Sequence, residues 1–429
     1  MLDIKFIREN PDLIKEAAHK KGVKFDVEKL LAVDERRRHV LQESEQLKAE
    51  QNRKSKGKLE PAEIDQLKII KEKIKVLESE LDVVEKEFIE LMMQVPNIPT
   101  DDTPVGASEK DNRVVKEVGK PTKFDFPAKN HWDLAQDHDL IDKSRAAEVA
   151  GARFAYIKGD LVKMQFALIQ FTIDQLTNQK VLRKIIKENK LQVSDKPFVP
   201  VLPPAMIKTE VYKATARLNQ QEVTYKLEGD DLWLNASAEH SICPMYRNEV
   251  LEEEQLPIRY LGYTTAFRRE AGTYGKDTEG IFRMHQFDKL ELESFSLKEN
   301  SYNEHLFFIA IQEYLMQQLQ IPYHVLLKCT ADIGFANARG VDIEAWLPGQ
   351  DKYRETHTAD YMTDFQARRL NTKVRRPNWE AEFVHTNDAT AFAMGRTMIA
   401  ILENYQTEKG TIKIPKVLQK YMGIKEIKK

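Results

Sequence analysis

Seven apolar residues, Ile70, Ile74, Leu77, Leu81, Val84, Phe88 and Leu91, recur at alternating spacings of four and three in a stretch free of glycine and proline. Such a heptad seam commits the segment to a long helix that must bury one narrow stripe against another helix. Pro61 in the first turn opens this helix, which runs to about residue 94. Asp26 is placed to cap a preceding helix ending near residue 54, where Val33, Val40 and Leu47 give a thinner match; Asn10-Pro11-Asp12 opens an earlier one. Between the two long helices, Arg53, Lys54, Lys56 and Lys58 surround Ser55 and Gly57 in a turn-compatible, positively charged segment. So short a connection folds two helices back as an antiparallel hairpin. At 1.5 Å per residue a helix of about 34 residues spans roughly 50 Å, too long to be buried in a globule. Oligomerisation and nucleic-acid contact suit such a solvated arm equally.

VPNIPTDDTP, residues 95–104, ends the helical region and divides the chain into an arm at 1–100 and a larger domain at 101–429. All four Trp residues, 132, 233, 346 and 379, lie beyond that boundary. Val341, Ile343, Ala345 and Leu347 alternate with Asp342, Glu344 and Trp346, the period of a half-buried strand, whereas 303–319 and 393–406 read as helices. The expected class is α+β, with a mostly antiparallel β-sheet flanked by helices. A net charge of −2, from 66 basic and 68 acidic residues, excludes a globally basic nucleic-acid coat but not a local patch. Cys243 and Cys329 can build neither a disulfide framework nor a four-ligand zinc site, so no zinc is expected. The N-terminus has the composition of neither a signal nor a transit peptide, and no stretch approaches the roughly 18 apolar residues of a membrane span. The expectation is a cytoplasmic protein with no membrane partner.

No P-loop, Rossmann loop, HExxH or GxSxG pattern is present. What stands out is Phe267-Arg268-Arg269-Glu270, a glycine-punctuated stretch, and then Arg283-Met284-His285-Gln286-Phe287 leading to Glu291. Read as two strands and a loop, it places Arg268 and Glu270 on one face of the first, and Arg283, His285, Phe287 and Glu291 on one face of the second. Two guanidinium groups, two carboxylates and an aromatic ring suit a planar base, a phosphate chain and an ammonium group bound together; a salt-bridged sheet surface is the plainer alternative.

Phe-Arg-x-Glu, a loop and Arg-x-x-x-Phe resemble motif 2 of class II aminoacyl-tRNA synthetases. The surrounding text is similar to the bacterial-type seryl-tRNA synthetase family over nearly the whole chain, through AEVAGARFAYIKGDLVKMQFALIQF, the Pro203-Pro204 pair of motif 1, GTYGKDTEGIFRMHQFDKLEL, WLPGQDKYRE, TDFQARR and GRTMIAILENYQ of motif 3. The resemblance implies a two-helix coiled-coil arm followed by a class II catalytic domain. It implies Arg268, Glu355 and Arg396 as catalytic residues, and ATP as a substrate held by Arg268, Arg269, Glu270, Arg283, Met284, Phe287, Glu355, Thr356, His357, Thr358 and Arg396. Mg²⁺ would sit on Glu355 and Thr358. L-Serine would be bound by Ser237, Ala238, Glu239, Arg268, Glu291, Asp388 and Thr390. The implied partners are a second copy of the chain, as a homodimer, and tRNA(Ser), whose long variable arm the hairpin would cross. Arg36, Arg37, Arg38, Arg53, Lys54, Lys56 and Lys58 would then meet phosphate.

The chain departs from the family in its amino-acid pocket. Ser237-Ala238-Glu239-His240-Ser241, Asp388-Ala389-Thr390 and Glu355-Thr356-His357-Thr358 stand where the family usually has Thr-Ala-Glu with an apolar-proline pair, Asn-Gly-Ser, and Glu-Ile-Ser-Ser. The hydroxyls are kept, but an ionised Asp388 accepts hydrogen bonds and cannot donate as asparagine does, so a serine hydroxyl facing it must donate. Such a site rejects alanine strongly and threonine only by size. These departures leave open a paralogue of altered amino-acid or acceptor specificity, and the resemblance leaves open selenocysteine tRNA as a further acceptor. Residues 180–197, with five basic side chains from Lys180 to Lys190, read as a surface insertion.

Overall fold

The computed structural model describes residues 1–55, 60–218, 224–270 and 280–428. They form two compact units, Met1–Ile98 and Pro99–Lys429. The first is helical: α1 Ile4–Glu9, α2 Pro11–Lys20, α3 Val27–Lys54 and α4 Pro61–Met92. Asp26 caps α3 by accepting from the Lys29 amide at 2.9 Å, and Glu60 with Glu63 forms the capping box that starts α4 beside Pro61. Lys29–Glu87 at 3.4 Å, Arg36–Glu80 at 2.6 Å and Lys54–Gln66 at 3.4 Å run in opposite senses along the two long helices, so α3 and α4 are antiparallel.

The α4 seam is as its spacing predicts: Ile70, Ile74, Val84, Phe88 and Leu91 are buried, with Leu77 and Leu81 half-buried. The α3 seam differs from the thin apolar match. Val40 is buried and Val33 and Leu47 are half-buried, but Asp34 and Ser44 are buried among them. Asp34 is tolerated because Arg38 donates to it at 3.1 Å and Arg8 lies 3.6 Å away. Of the basic residues expected to meet phosphate, Arg36 and Arg37 are occupied within the arm: Arg36 pairs with Glu80, and Arg37 with Glu85 while also covering the Phe88 ring. Arg53 and Lys54 are exposed, and Lys56 and Lys58 lie outside the described residues.

The second unit is built on an eight-stranded sheet. Its strands are β1 Arg113–Val118, β2 Val199–Val201, β3 Ile258–Phe267, β4 Gln286–Ser296, β5 Tyr323–Leu327, β6 Arg339–Leu347, β7 Lys352–Thr363 and β8 His385–Ala393. They lie in the order β1-β5-β6-β7-β8-β4-β3-β2, every neighbour antiparallel except β2 with β3. Helices α5 Asp160–Leu176, α6 Lys298–Leu319 and α7 Met394–Asn404 join the sheet in one large core that includes Leu161, Phe307, Leu315, Leu292, Ile343 and Ile401. The alternation on β6 marks a central strand rather than a half-exposed one: Asp342 is buried too, 3.5 Å from Lys328. Among the described residues no helix is long and apolar enough to cross a membrane.

Two local features shape the middle of the sheet. Gly262 on β3 lies opposite Glu291, and a Cβ there would sit 2.3 Å from Ile242 and 3.0 Å from Ala238. The missing side chain lets the short helix Glu239–Ile242 press against the sheet. On β7 the register with β6 shifts between Ile343 and Glu344, a bulge on the β7 side at Thr356.

Truncating Phe88 to alanine should cost the arm about 3 kcal/mol. Far-UV circular dichroism of the full chain should then show a separate helical melting phase below the main transition. A single unchanged transition would mean that the seam does not hold the arm together.

Candidate functional site

The centre of the sheet carries a cavity open to solvent, lined from β4 by Phe287 and Lys289, from β7 by Glu355, Thr356 and Thr358, from the end of β8 by Thr390 and Ala393, and from α7 by Gly395 and Arg396. Arg268, Glu270, Ile281, Phe282 and Met284 complete the wall. Residues 271–279, the glycine-punctuated stretch, lie outside the described residues.

β3 ends at Phe267 and β4 begins at Gln286, so Arg268, Glu270, Arg283 and His285 stand beyond the strand ends. The ladder is continued by the Arg268 amide donating to the His285 carbonyl at 2.9 Å, and by His285 Nδ1 against the Arg268 carbonyl at 2.8 Å. His285 thus braces the backbone and packs against Phe154 and Tyr225 rather than sharing a cavity face with Phe287. The residues that share that face are Phe287, Lys289 and Glu291, and strand alternation begins only there. Glu270 has φ of 51°, a left-handed conformation that an ordinary side chain rarely adopts. Its carboxylate meets Arg283 at 3.3 Å and its carbonyl accepts from Arg153 at 3.3 Å.

The cavity is cationic where a phosphate chain needs it to be. The Arg268 guanidinium lies 5.3 Å from the Phe287 ring centre, and its Nε donates to the Ala236 carbonyl at 3.2 Å. Arg396 covers the Phe282 ring at 4.7 Å and binds Glu355 Oε1 at 2.8 Å. Burial pushes the Glu355 carboxyl up, but Arg396, Lys328, Arg268 and Lys289 outweigh it and bring it to about 2. Glu355 and Thr358 both line the cavity although three residues apart on one strand, because the bulge at Thr356 interrupts the alternation. A single carboxylate and a hydroxyl are a hard-oxygen pair that fits Mg²⁺ when phosphate and water fill the rest of its shell. Among the described residues no group of three or more His, Cys, Asp or Glu could hold a metal unaided.

Of the residues expected to hold nucleotide, Arg268, Glu270, Met284, Phe287, Glu355, Thr356, Thr358 and Arg396 line the cavity, and Arg283 reaches it through Glu270. Arg269 is exposed and does not. His357 is buried on the opposite side, against the Phe392 ring at 5.5 Å, with Nδ1 2.8 Å from the Thr356 hydroxyl. Burial pulls its imidazole down to about 3.

Of those expected to hold serine, Arg268 and Thr390 line the cavity. Ser237, Ala238, Glu239, Glu291 and Asp388 are buried and do not. Glu291 and Ser237 connect to it through Lys289, which spacing and motif reading missed: its ammonium pairs with Glu291, and Ser237 donates to the same carboxylate oxygen. Asp388 does not face the cavity. Its carboxylate binds Arg217 at 2.8 Å, a second residue missed because it sits in an unpatterned stretch, and His240 pairs instead with Tyr212 at 2.7 Å and Glu239 at 3.2 Å. Burial first, and Glu239 next, push Asp388 well above the usual carboxylate range. The expectation of Asp388 facing a serine hydroxyl is corrected on geometry: its side chain is turned to Arg217 and does not line the cavity.

A largely antiparallel sheet that gathers Arg268, Glu270, Phe287, Glu355 and Arg396 at one cavity has the build of a class II aminoacyl-tRNA synthetase, and residues 223–405 match the tRNA synthetase class II core domain (G, H, P, S and T). Residues 1–99 match the seryl-tRNA synthetase N-terminal domain. The serine–tRNA ligase of Symbiobacterium thermophilum is 39% identical over 438 residues, covering 100% of both chains, and that of Desulforapulum autotrophicum is 40% identical, covering 99% of this chain and 98% of its own. A crystal structure of seryl-tRNA synthetase from Pyrococcus horikoshii complexed with ATP superposes with a TM-score of 0.89 at 38% identity, covering 100% of this chain and 99% of that one. The chain belongs to the serine–tRNA ligase family.

His357 supplies a pH test. A neutral buried imidazole whose folded value lies below its unfolded 6.5 contributes stability above pH 6.5 and loses it as pH falls towards 3. The stability of a His357→Asn variant relative to the parent should therefore rise on acidification below pH 6.5, by at most about 1.4 kcal/mol per pH unit. Paired thermal melts read the difference, and a gap independent of pH would refute the buried neutral state.

Proposed function

We propose that the chain activates L-serine with ATP and transfers it to the 3′-terminal adenosine of tRNA(Ser). The observation that carries this reading is the convergence of Arg268, Glu270, Phe287, Glu355 and Arg396 on one cavity in a chain matched end to end by serine–tRNA ligases. In the first step a serine carboxylate oxygen attacks the α-phosphorus, the bond to the bridging oxygen breaks, and pyrophosphate leaves with seryl-adenylate bound. No protein nucleophile is needed; the site aligns the reactants and neutralises charge. Arg268 bridges the serine carboxylate and the α-phosphate, where charge builds in the transition state. Glu270 accepts from the adenine amino group, Phe287 stacks on the base, and Arg283 and Arg396 meet the γ-phosphate. Glu291 receives the serine ammonium in exchange for Lys289. Glu355 and Thr358 would hold Mg²⁺, which neutralises phosphate charge when bound. In the second step the tRNA 3′-hydroxyl attacks the adenylate carbonyl, and AMP departs as the serine ester forms.

In this reading the working form is a cytoplasmic homodimer, and the arm meets the long variable arm of tRNA(Ser) through sugar–phosphate contacts and shape. Exposed Arg53 is the better phosphate ligand, because Arg36, Arg37 and Lys54 would first have to release Glu80, Glu85 and Glu50. A paralogue with changed amino-acid specificity is favoured by one observation, the commitment of Asp388 to Arg217.

Amino-acid-dependent ATP–pyrophosphate exchange separates the two. Serine should support it, with threonine, alanine and glycine far behind, and tRNA(Ser) should then be charged. Exchange with a different amino acid would establish the paralogue. Arg268→Ala should lower serine-dependent exchange about 10²–10³-fold. Replacing Arg53 and Lys54 with alanine should leave exchange unchanged while weakening tRNA binding and reducing its salt slope by about one unit for each phosphate contact removed. An unaltered slope would place the tRNA contact elsewhere.

A further inference from the structure

Arg217 lies outside every motif, yet its side chain is 18% exposed and surrounded by acid. Its guanidinium stands 2.7 Å from Glu239, 2.8 Å from Asp388 and 3.6 Å from Asp360, and donates to the Asn337 side-chain oxygen at 3.4 Å. These partners come from separate parts of the fold: Glu239 opens the short helix that follows Ser237, Asp360 is on β7, and Asp388 is on β8 two residues before Thr390. The backbone that aims Arg217 is tightly determined. Ala216, the residue before it, is buried with φ of 62°, a conformation that an alanine holds only when its surroundings impose it. The Arg217 amide donates to the Thr215 hydroxyl at 3.3 Å, and Gln366 anchors the Thr215 carbonyl at 3.0 Å.

Glu239 and Asp388 are both buried, and neither could stay charged beside the other without a cation between them. A planar guanidinium with several fixed donors satisfies two carboxylates at once, which an ammonium cannot do with the same geometry. The two segments it joins are the ones that carry Ser237 and Thr390. We propose that Arg217 is a positioning residue for amino-acid specificity: by bridging Glu239 to Asp388 it sets the spacing between the Ser237 and Thr390 segments, and so the size of the side chain the pocket admits. Asp388 then acts as the partner that fixes Arg217, rather than as a direct ligand of the substrate hydroxyl. This inference rests on the serine-activating function proposed for the same site.

The test is a double-substitution cycle in the full-length enzyme, with Arg217→Gln, Asp388→Asn and both together. The readouts are KM for serine, KM for ATP and the exchange ratio of serine to threonine. Arg217→Gln takes the cation from Glu239, Asp388 and Asp360 together, whereas Asp388→Asn leaves Arg217 on Glu239 but removes its bridge to β8. Each single variant should raise KM for serine at least tenfold, change KM for ATP less than threefold, and lower the serine-to-threonine ratio. The double variant should match Arg217→Gln alone in both serine readouts to within about threefold, because the bridge is already lost. Thermal melting identifies a variant that has simply unfolded; if Arg217→Gln does, Arg217→Lys, which keeps the charge and loses the fork, takes its place and should still raise KM for serine. Single effects that multiply in the double variant, or that fall equally on ATP and serine, would overturn the proposal. Failure of the unaltered enzyme to use serine would instead overturn the functional reading, and the cycle could then be read with the amino acid it does use.

Discussion

Charge on the face of a buried sheet is tolerable only when each group finds a partner, and this condition organises the catalytic unit. β4, β7 and β8 are adjacent central strands, and between them they carry Lys289, Glu291, Glu293, Glu355, Asp360 and Asp388. Removing such groups from water costs several kcal/mol each unless the cost is offset locally. Lys289 offsets it for Glu291, and Arg217 for Asp388 and Asp360, whereas Glu355 is solvent-exposed where it meets Arg396. For Glu293, burial outweighs the pull of Arg217 and pushes its carboxyl well above the usual range.

That arrangement explains why the cavity suits a ligand rich in both signs. In the function proposed above, a nucleotide's phosphates would take Arg396 from Glu355 and an amino acid's ammonium would take Glu291 from Lys289, ion pairs that the fold already holds. Glu291 and Lys289 are already desolvated and fixed by the fold, so an incoming amine meets a preorganised carboxylate. Backbone supports this preorganisation: the absent Cβ at Gly262 brings the Ser237 segment down to Glu291, and the bulge at Thr356 turns Glu355 and Thr358 to the same wall.

Much of this was legible in the residues. The heptad seam of α4, the Pro61 start, the Asp26 cap and the motif 2 pair Arg268 and Glu270 each carry a local signature that the structure repeats. Polar seam positions were not legible, because Asp34 and Ser44 are indistinguishable from surface residues until a partner such as Arg38 is seen. Strand alternation placed Arg283 and His285 wrongly because it was applied beyond the strand's end, and it could not foresee the bulge. Lys289 and Arg217 were missed for a shared reason: a lone cation in sequence gives no sign of being buried, and its meaning comes from carboxylates delivered by distant strands.

The arm's packing is graded along its length. Near its root Val27 and Leu30 of α3 and Val84, Phe88 and Leu91 of α4 are buried, whereas towards the turn only Ile70 and Ile74 on α4 are, with Ser44 opposite. Apolar burial sets the local opening free energy, so amide protons should exchange progressively faster from root to tip. The two helices are therefore held together more firmly where α3 begins and α4 ends than near the turn that joins them.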